Sequence, residues 1–135
     1  MTGVQTCALP IFDRGFDIIE LTPNDKLSKN EIEAAKLMRQ AVYNPQSQTT
    51  FEWPPAFVVV RSYLDQLVRN QGLAPARTTA IAAALDAAEA KSGAARKSAL
   101  TALAAQVDVD VKGAKDGQRV QWMSDAIKKL AAQTK

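Results

Sequence analysis

The stretch from residue 53 to residue 72, WPPAFVVVRSYLDQLVRNQG, carries the clearest structural signal in the sequence. Its apolar residues recur at steps of three and four, which is the spacing of one face of an α-helix. These residues are Phe57, Val60, Leu64, Leu67 and Val68. Pro54 and Pro55 suit the first helical turn, where a missing N–H has no intrahelical partner, and Gly72 suits the C-terminal stop. The stretch therefore predicts a helix with one buried face.

Three charged residues, Arg61, Asp65 and Arg69, follow one another at four-residue steps along this helix. That spacing places the carboxylate between two guanidinium groups on one helical surface. A carboxylate between two cations stays ionised and makes a poor proton donor near neutral pH. We therefore interpret these residues as a structural cluster.

Two tryptophans are candidates for stacking on sugar rings or nucleic-acid bases. Trp53 lies just before the prolines, where it can pack back on its helix as a hydrophobic staple. Trp122 adjoins Val120 and Met123, which belong to the apolar face of the last predicted helix. Both tryptophans are therefore expected to be core or semi-buried residues.

Upstream of this stretch, Ser28 and Glu31 match the capping box that begins many helices. A helix is predicted over residues 30–42, ending at Tyr43-Asn44-Pro45 and followed by a polar loop, residues 46–50. Its apolar face consists of Ile32, Ala35, Met38 and Val42.

Three alanine-rich helices are predicted after Gly72. The first begins at Pro75 and ends near Ser92-Gly93, the second covers residues 94–107, and the third covers residues 116–132. Their apolar faces are Ile81, Leu85 and Ala88; Leu100, Leu103 and Val107; and Val120, Met123, Ile127 and Leu130. Short loops favour antiparallel packing, and alanine lets helix axes approach closely.

One β-strand is predicted over residues 16–21, FDIIEL, because strand-forming residues there place apolar side chains on both faces. A lone strand cannot satisfy its own backbone donors and acceptors. We expect its partners upstream, in a longer protein. The alternative is pairing with residues 49–53, TTFEW, within this sequence.

Residues 1–11, MTGVQTCALPI, match neither helix nor strand periodicity, and they lack the basic start and continuous apolar stretch of a signal peptide. The run TGVQTCALPI resembles, codon for codon, the translation of a common short-read sequencing adapter, ACTGGAGTTCAGACGTGTGCTCTTCCGATC. We therefore expect the segment to be an artefact and the natural reading frame to be interrupted before Phe12. No function is assigned to Cys7.

The composition excludes several kinds of site. The 135 residues include no histidine, and Cys7 is the one cysteine. Zinc sites, nucleophile–histidine pairs and histidine acid–base catalysis therefore lack their side chains. We expect no catalytic, cofactor-binding or metal-binding residue and no enzyme activity. No apolar run approaches the roughly 18 residues of a membrane span.

Residues 108–113, DVDVKG, begin like a calcium-binding loop. Lys112 stands at position five and Arg119 at position twelve, where that loop needs ligating oxygens. We interpret the segment as an interhelical turn.

Positive charge is concentrated in the second half of the chain. Residues 12–74 hold 7 Lys/Arg against 8 Asp/Glu, net −1, whereas residues 75–135 hold 10 against 6, net +4. Such an imbalance is common in solvated helices, and it also permits weak attraction to an anionic surface. Arg119 and Lys128 lie on opposite faces of their helix, so nucleic acid is not expected as a partner.

The segment Arg14-Gly15-Phe16-Asp17-Ile18-Ile19-Glu20-Leu21 resembles the closing strand of the last repeat in bacterial LVIVD-repeat proteins, which are predicted β-propellers. Residues 30–42 and 51–70 resemble the helical tail that follows the propeller in some of these proteins. Residues 75–135 resemble alanine-rich modules appended to secreted bacterial surface proteins. The chain departs from the family in lacking every complete repeat, so no binding residue of the family is carried over.

The resemblance implies four segments. Residues 1–11 are the adapter artefact, residues 12–22 the last strand of a truncated β-repeat domain, residues 23–72 a linker with two helices, and residues 73–135 an alanine-rich three-helix module. The predicted fold is mainly α, with about five short, antiparallel-packed amphipathic helices preceded by one orphan β-strand.

The functional hypothesis is a non-catalytic C-terminal helical appendage of an exported bacterial repeat protein, with a structural or interaction role. Its expected partner is a protein or a cell-surface polymer. The parent protein is expected to be periplasmic or extracellular, with its signal peptide in the missing N-terminal part. The alternative is an autonomous helical module that binds an anionic cell-surface polymer through residues 75–135. An enzyme requires an active site upstream of Phe12.

Overall fold

The computed structural model describes residues 6–11, 15–38, 46, 50 and 52–134. Within these residues the chain forms two strands, five α-helices and one short 3-10 helix, Val111–Gly113. The elements are β1 (Thr6–Ile11), β2 (Gly15–Glu20), α1 (Lys29–Ala35), α2 (Phe57–Arg69), α3 (Pro75–Glu89), α4 (Gly93–Asp110) and α5 (Gly117–Gln133). The prediction of a mainly helical chain with five helices is confirmed.

Helices α2 to α5 share one hydrophobic core. Each contacts the next along the chain, and α2 also contacts α5, so the four helices close into a ring. Helix α1 packs on the outside of this ring, against α2. The core runs from Val60 to Ala131 and joins residues on both sides of Gly72.

The capping box predicted for α1 is confirmed. The Ser28 side chain accepts a hydrogen bond from the Glu31 N–H at 3.1 Å, and the Ser28 N–H donates to Glu31 Oε2 at 2.7 Å. The helix is shorter than predicted, because beyond Ala35 the backbone N–H groups of Leu37 and Met38 bond three residues back. Residues 39–45, including Val42 and the expected stop at Tyr43-Asn44-Pro45, lie outside the described residues.

Helix α2 begins later than its prolines suggest. Its N-cap is Ala56, in an extended conformation with φ −145° and ψ 148°, so Pro54 and Pro55 precede the helix and do not form its first turn. A residue followed by proline disfavours the helical region, which keeps Pro54 extended.

The buried face of α2 also differs from the prediction at one edge. Val68 is 57% exposed, whereas Val59 is 2% exposed. Because α1, α3 and α5 all pack against α2, its buried face is wider than a single stripe and extends to Val59 and Ser62.

The C-terminal end of α2 is a Schellman motif shifted by one residue from the expected stop. Gln71 takes the left-handed position, with φ 52°, and its N–H bonds to the Val68 carbonyl at 3.2 Å. The Gly72 N–H bonds to the Leu67 carbonyl at 2.9 Å. A Cβ on Gly72 would lie 2.8 Å from Asp116 Cβ, so glycine is needed there for close packing.

The three predicted helices after Gly72 are confirmed as α3, α4 and α5. The residues predicted to form their apolar faces are buried: Ile81, Leu85, Ala88, Leu100, Leu103, Val107, Val120, Met123, Ile127 and Leu130. The interhelical turn predicted over residues 108–113 is wrong in its first half. Helix α4 continues to Asp110, and the 3-10 helix follows. Asp110 remains helical because its carboxylate bonds to Arg77 on α3.

The structure does not show a solitary strand. Strand β2 pairs antiparallel with β1, in a register that joins Thr6 to Glu20 and Ile11 to Gly15. This corrects two expectations, because residues 1–11 were found to match no strand periodicity and the partner of β2 was expected outside this sequence, in a longer protein. Pairing with β1 satisfies backbone groups along one edge of β2. Of residues 49–53, Glu52 and Trp53 form no strand, and Thr49 and Phe51 lie outside the described residues.

We predict opposite stability effects for two neighbouring substitutions at the end of α2. Gln71→Gly removes the cost of a left-handed non-glycine residue and is expected to stabilise the protein by about 0.5–1 kcal/mol. Gly72→Ala brings a methyl group against Asp116 and Leu67 and is expected to destabilise it by about 1–3 kcal/mol. Urea unfolding followed by circular dichroism measures both values. A Gln71→Gly protein no more stable than the parent contradicts the left-handed assignment.

A second prediction concerns the ion pair that holds α1 on α2. Both guanidinium nitrogens of Arg69 bond to the Glu31 carboxylate, at 2.7 and 2.8 Å. The hydrogen bonds from Arg69 are the main cause that lowers the pKa of Glu31 from 4.5 to about 2. A carboxylate with a lowered folded-state pKa stabilises the fold above its unfolded pKa and loses that effect as the pH falls. This contribution is therefore lost between about pH 4.5 and about pH 2.

Glu31→Gln tests this ion pair without removing the cap, since glutamine also bonds back to Ser28. With Arg69 35% exposed and so partly screened, the expected loss at neutral pH is about 1–2 kcal/mol. The difference from the parent chain, measured by urea unfolding, should shrink as the pH falls from about 4.5 toward about 2. Glu33→Gln, on the same helix, is the matched control and should change stability by less than about 0.5 kcal/mol. A pH-independent difference for Glu31→Gln contradicts the assignment.

Candidate functional site

An open groove lined by aromatic side chains lies where α2, α5 and the segment before α2 meet. We call it the aromatic groove and define it by Trp53, Tyr63 and Trp122, with Pro54, Pro55 and Val59 in its walls. One part has a volume of about 490 Å³ and extends along α5 to Lys128 and Lys129. An adjoining part of about 420 Å³ shares the three aromatic residues and extends to Glu31 and Ala34 of α1.

The two tryptophans are more exposed than expected. Trp53 is 41% exposed and Trp122 is 47% exposed. A hydrophobic staple uses the residue directly before the N-cap. With Ala56 as N-cap that residue is Pro55, so Trp53 lies too far upstream to act as a staple. Trp122 is turned about 100° from its buried neighbour Met123 and so lies beside the core.

Tyr63 joins the two tryptophans into one surface. Its ring lies 6.5 Å from that of Trp122, centroid to centroid, at an interplanar angle of 45°. Sequence reasoning did not identify Tyr63, which lies between the core residues Val60 and Leu64 on α2. Nothing in the local pattern indicates that this position faces a tryptophan from the far end of the chain.

The polar atoms of these three side chains are hydrogen-bond donors. The indole N–H groups of Trp53 and Trp122 and the hydroxyl of Tyr63 donate no hydrogen bond within the described part of the chain. Burial raises the pKa of Tyr63 above its ordinary value of 10.0, so the hydroxyl stays protonated. The aromatic side chains of the groove therefore offer three hydrogen-bond donors.

The charged groups at the rim compensate one another. Glu52 forms an ion pair with Lys129. The hydrogen bond in this pair lowers the pKa of Glu52 and raises the pKa of Lys129. Lys128 Nζ lies 2.9 Å from Asp108 Oδ1 and 3.8 Å from Asp125 Oδ1. At the other end of the groove Glu31 is paired with Arg69. The rim therefore carries little uncompensated charge.

The charged cluster predicted on α2 does not form as a unit. Arg61 pairs with Asp86 and Glu89 of α3, at 2.8 and 2.6 Å. Arg69 pairs with Glu31, and Asp65 accepts a hydrogen bond from Asn30 at 2.9 Å. Arg61 therefore attaches α3 to α2, whereas Asp65 and Arg69 both attach α1. The structural interpretation holds, but the partners are on other helices.

The carboxylates of the rejected calcium loop are also engaged. Asp108 accepts hydrogen bonds from Ser124 at 2.5 Å and Lys128 at 2.9 Å, which lower its pKa. Asp110 receives the Arg77 guanidinium at distances of 2.7–3.1 Å. Across residues 6–11, 15–38, 46, 50 and 52–134, no group of three or more metal-ligating side chains could hold a metal ion.

The positive charge of the second half is spread out and partly paired. Arg77, Arg119, Lys128 and Lys129 each form an ion pair. Arg96 donates to the carbonyls of Lys91 and Glu89, and lies 5.7 Å from the Phe57 ring centroid.

Within residues 75–134, the lysines that form no ion pair in the described chain lie at opposite ends of α4. Lys91 and Lys97 are near its start, and Lys112 and Lys115 follow its end. An α-helix of this length separates them by roughly 25 Å. The described residues therefore present no single strongly basic patch.

None of the described helices is both long enough and apolar enough to cross a bilayer. In comparisons with known proteins, no family model, no curated protein and no solved structure matches this chain.

Proposed function

We propose that this chain is a non-catalytic helical interaction module, and that the aromatic groove is the surface with which it binds a partner. The observation that carries the proposal is the exposure of Trp53 and Trp122 on one face beside Tyr63. Large aromatic side chains gain free energy from burial, so leaving two indoles of one groove more than 40% exposed gives up stability. Clustered exposed aromatics of this kind mark binding surfaces.

The way the groove is built supports a binding role. Its aromatic residues come from three separate segments, the extended segment before α2, α2 itself and α5. Two of these segments are anchored in the core, α2 by the burial of Val60 and Leu64 and α5 by the burial of Met123, and the extended segment is joined to α5 by the Glu52–Lys129 ion pair. The groove is therefore held open by a packed scaffold, which reduces the entropy lost when a ligand binds.

We further propose that this module is the helical appendage of an exported bacterial repeat protein, periplasmic or extracellular. Support comes from the resemblance of residues 14–21 to an LVIVD-repeat strand. Strand β2 is paired along one edge in a two-stranded sheet, and neither strand contacts a helix within the described residues. An isolated hairpin is marginally stable, so β2 would gain from pairing its other edge with an upstream strand.

The uninterrupted genomic reading frame upstream of Phe12 tests the second proposal. Repeated strand motifs resembling residues 14–21, together with an export signal, are the expected result. An upstream frame without such repeats, or without an export signal, would remove it.

The binding proposal predicts that the groove responds to ligands. In a ¹⁵N–¹H correlation spectrum the two indole N–H signals report directly on Trp53 and Trp122, the only tryptophans. We expect at least one ligand from a panel of extended uncharged peptides, neutral oligosaccharides and anionic polymers to shift both signals. In Trp53→Ala and Trp122→Ala, the remaining indole signal should respond at least about tenfold more weakly.

Val109→Ala is the matched control, because Val109 is an exposed apolar residue on α4, 75% exposed and outside the groove. It should bind like the parent chain. If no ligand class shifts the indole signals, or if binding survives both tryptophan substitutions, the groove is not the binding surface. The anionic-polymer alternative differs in its salt dependence, since charge-driven binding weakens as salt is added.

A further inference from the structure

The aromatic groove is selective in the kind of hydrogen bond it can make. The indole N–H group of a tryptophan can only donate, and a protonated tyrosine hydroxyl donates readily. Trp53, Tyr63 and Trp122 thus bring to the lining of one groove three donors that form no hydrogen bond within the described residues. The carboxylates that line the groove, Glu52, Asp125 and Glu31, each lie in an ion pair with a lysine or arginine. The surface therefore suits a ligand rich in acceptors and poor in donors.

The charge of the groove restricts the ligand further. Glu52 is paired with Lys129, Lys128 with Asp108, and Glu31 with Arg69. A charged ligand would have to compete with one of these pairs for its counter-ion at the rim. Charge complementarity therefore favours an uncharged ligand, and the aromatic rings favour one with flat or compact apolar faces.

We propose that the aromatic groove binds a proline-rich polypeptide segment in the polyproline II conformation. This inference rests on the proposed function of the groove as a binding surface and names its ligand class. A proline residue has a strong carbonyl acceptor and no N–H donor, and its ring packs flat against an indole. A polyproline II helix leaves its carbonyls unpaired and free to accept from Trp53, Tyr63 and Trp122.

Proline-rich segments also lose little conformational entropy on binding, because the polyproline II helix exists before contact. That property suits an open groove with few polar contacts. Neutral sugars share the stacking chemistry, but each hydroxyl is a donor as well as an acceptor. The donors of a sugar would have to share the carboxylates of Glu52 and Asp125 with the lysines already paired to them, whereas a proline-rich segment brings no such donors.

The test is a titration of the full chain with three uncharged probes, observed through the indole signals. The probes are a blocked peptide of about ten prolines, a blocked glycine–serine peptide of equal length, and a neutral oligosaccharide. We expect the proline peptide to shift both indole signals and to bind at least tenfold more tightly than the glycine–serine peptide. Trp53→Ala and Trp122→Ala should each weaken binding about tenfold or more, whereas Val109→Ala should not.

Tyr63→Phe tests the hydrogen-bonding argument, since it removes the donor and keeps the ring. We expect it to weaken binding of the proline peptide about three- to tenfold with the helical circular dichroism spectrum unchanged. Because this substitution is conservative, it stays informative even if a tryptophan variant fails to fold.

Each other outcome overturns a defined part of the inference. Equal binding of the glycine–serine and proline peptides would show that the groove does not select proline. No effect of Tyr63→Phe would show that the Tyr63 hydroxyl does not donate to the ligand. Binding of the oligosaccharide but not the proline peptide overturns the ligand class and leaves the groove as a binding surface. Absence of any indole shift with all three probes overturns the proline inference. If an anionic polymer also fails to shift the indole signals, the proposed function of the groove is overturned.

Discussion

The burial of α2 between helices from both ends of the chain is the constraint on which the other elements depend. Val60 and Leu67 of α2 are fully buried and belong to the core shared with α3, α4 and α5. Burying one such side chain contributes about 1.5–3 kcal/mol, and α1, α3 and α5 each use α2 as a packing surface. Loss of α2 would uncover apolar faces on all three. The alanine-rich helices bury little apolar area of their own, so they depend on α2 for their core. The contact between α2 and α5 closes the ring.

The aromatic groove is a consequence of the way α2 is attached. The prolines keep the chain extended up to Ala56, so Trp53 lies beside α5 and not on its own helix. The ion pair between Glu52 and Lys129 joins that extended segment to α5. On the opposite wall the Glu31–Arg69 pair holds α1 against α2. Intramolecular ion pairs thus shape the groove and at the same time neutralise its rim, which is the physical basis for expecting an uncharged ligand.

Much of the helical fold can be predicted from local patterns. The capping box of Ser28 and Glu31 and the buried faces of α3, α4 and α5 follow from spacing alone, since period and capping are properties of consecutive residues. The predictions that failed depend on contacts across the chain. Val59 is buried outside the predicted stripe because α2 meets three neighbours, and the charges of Arg61 and Arg69 are used by α3 and α1. The left-handed residue is Gln71, because Gly72 is needed where Asp116 approaches.

The candidate site shows most clearly the difference between features set by local spacing and features set by contacts across the chain. The sequence by itself determined five helices, their main buried faces and a chain without histidine, because these follow from composition and from periodicity along neighbouring residues. Only the tertiary structure decided that Trp53, Tyr63 and Trp122 form one surface and that its rim is neutral. Such a surface is made where helices distant in sequence meet. Its position depends on packing geometry, which no local spacing encodes.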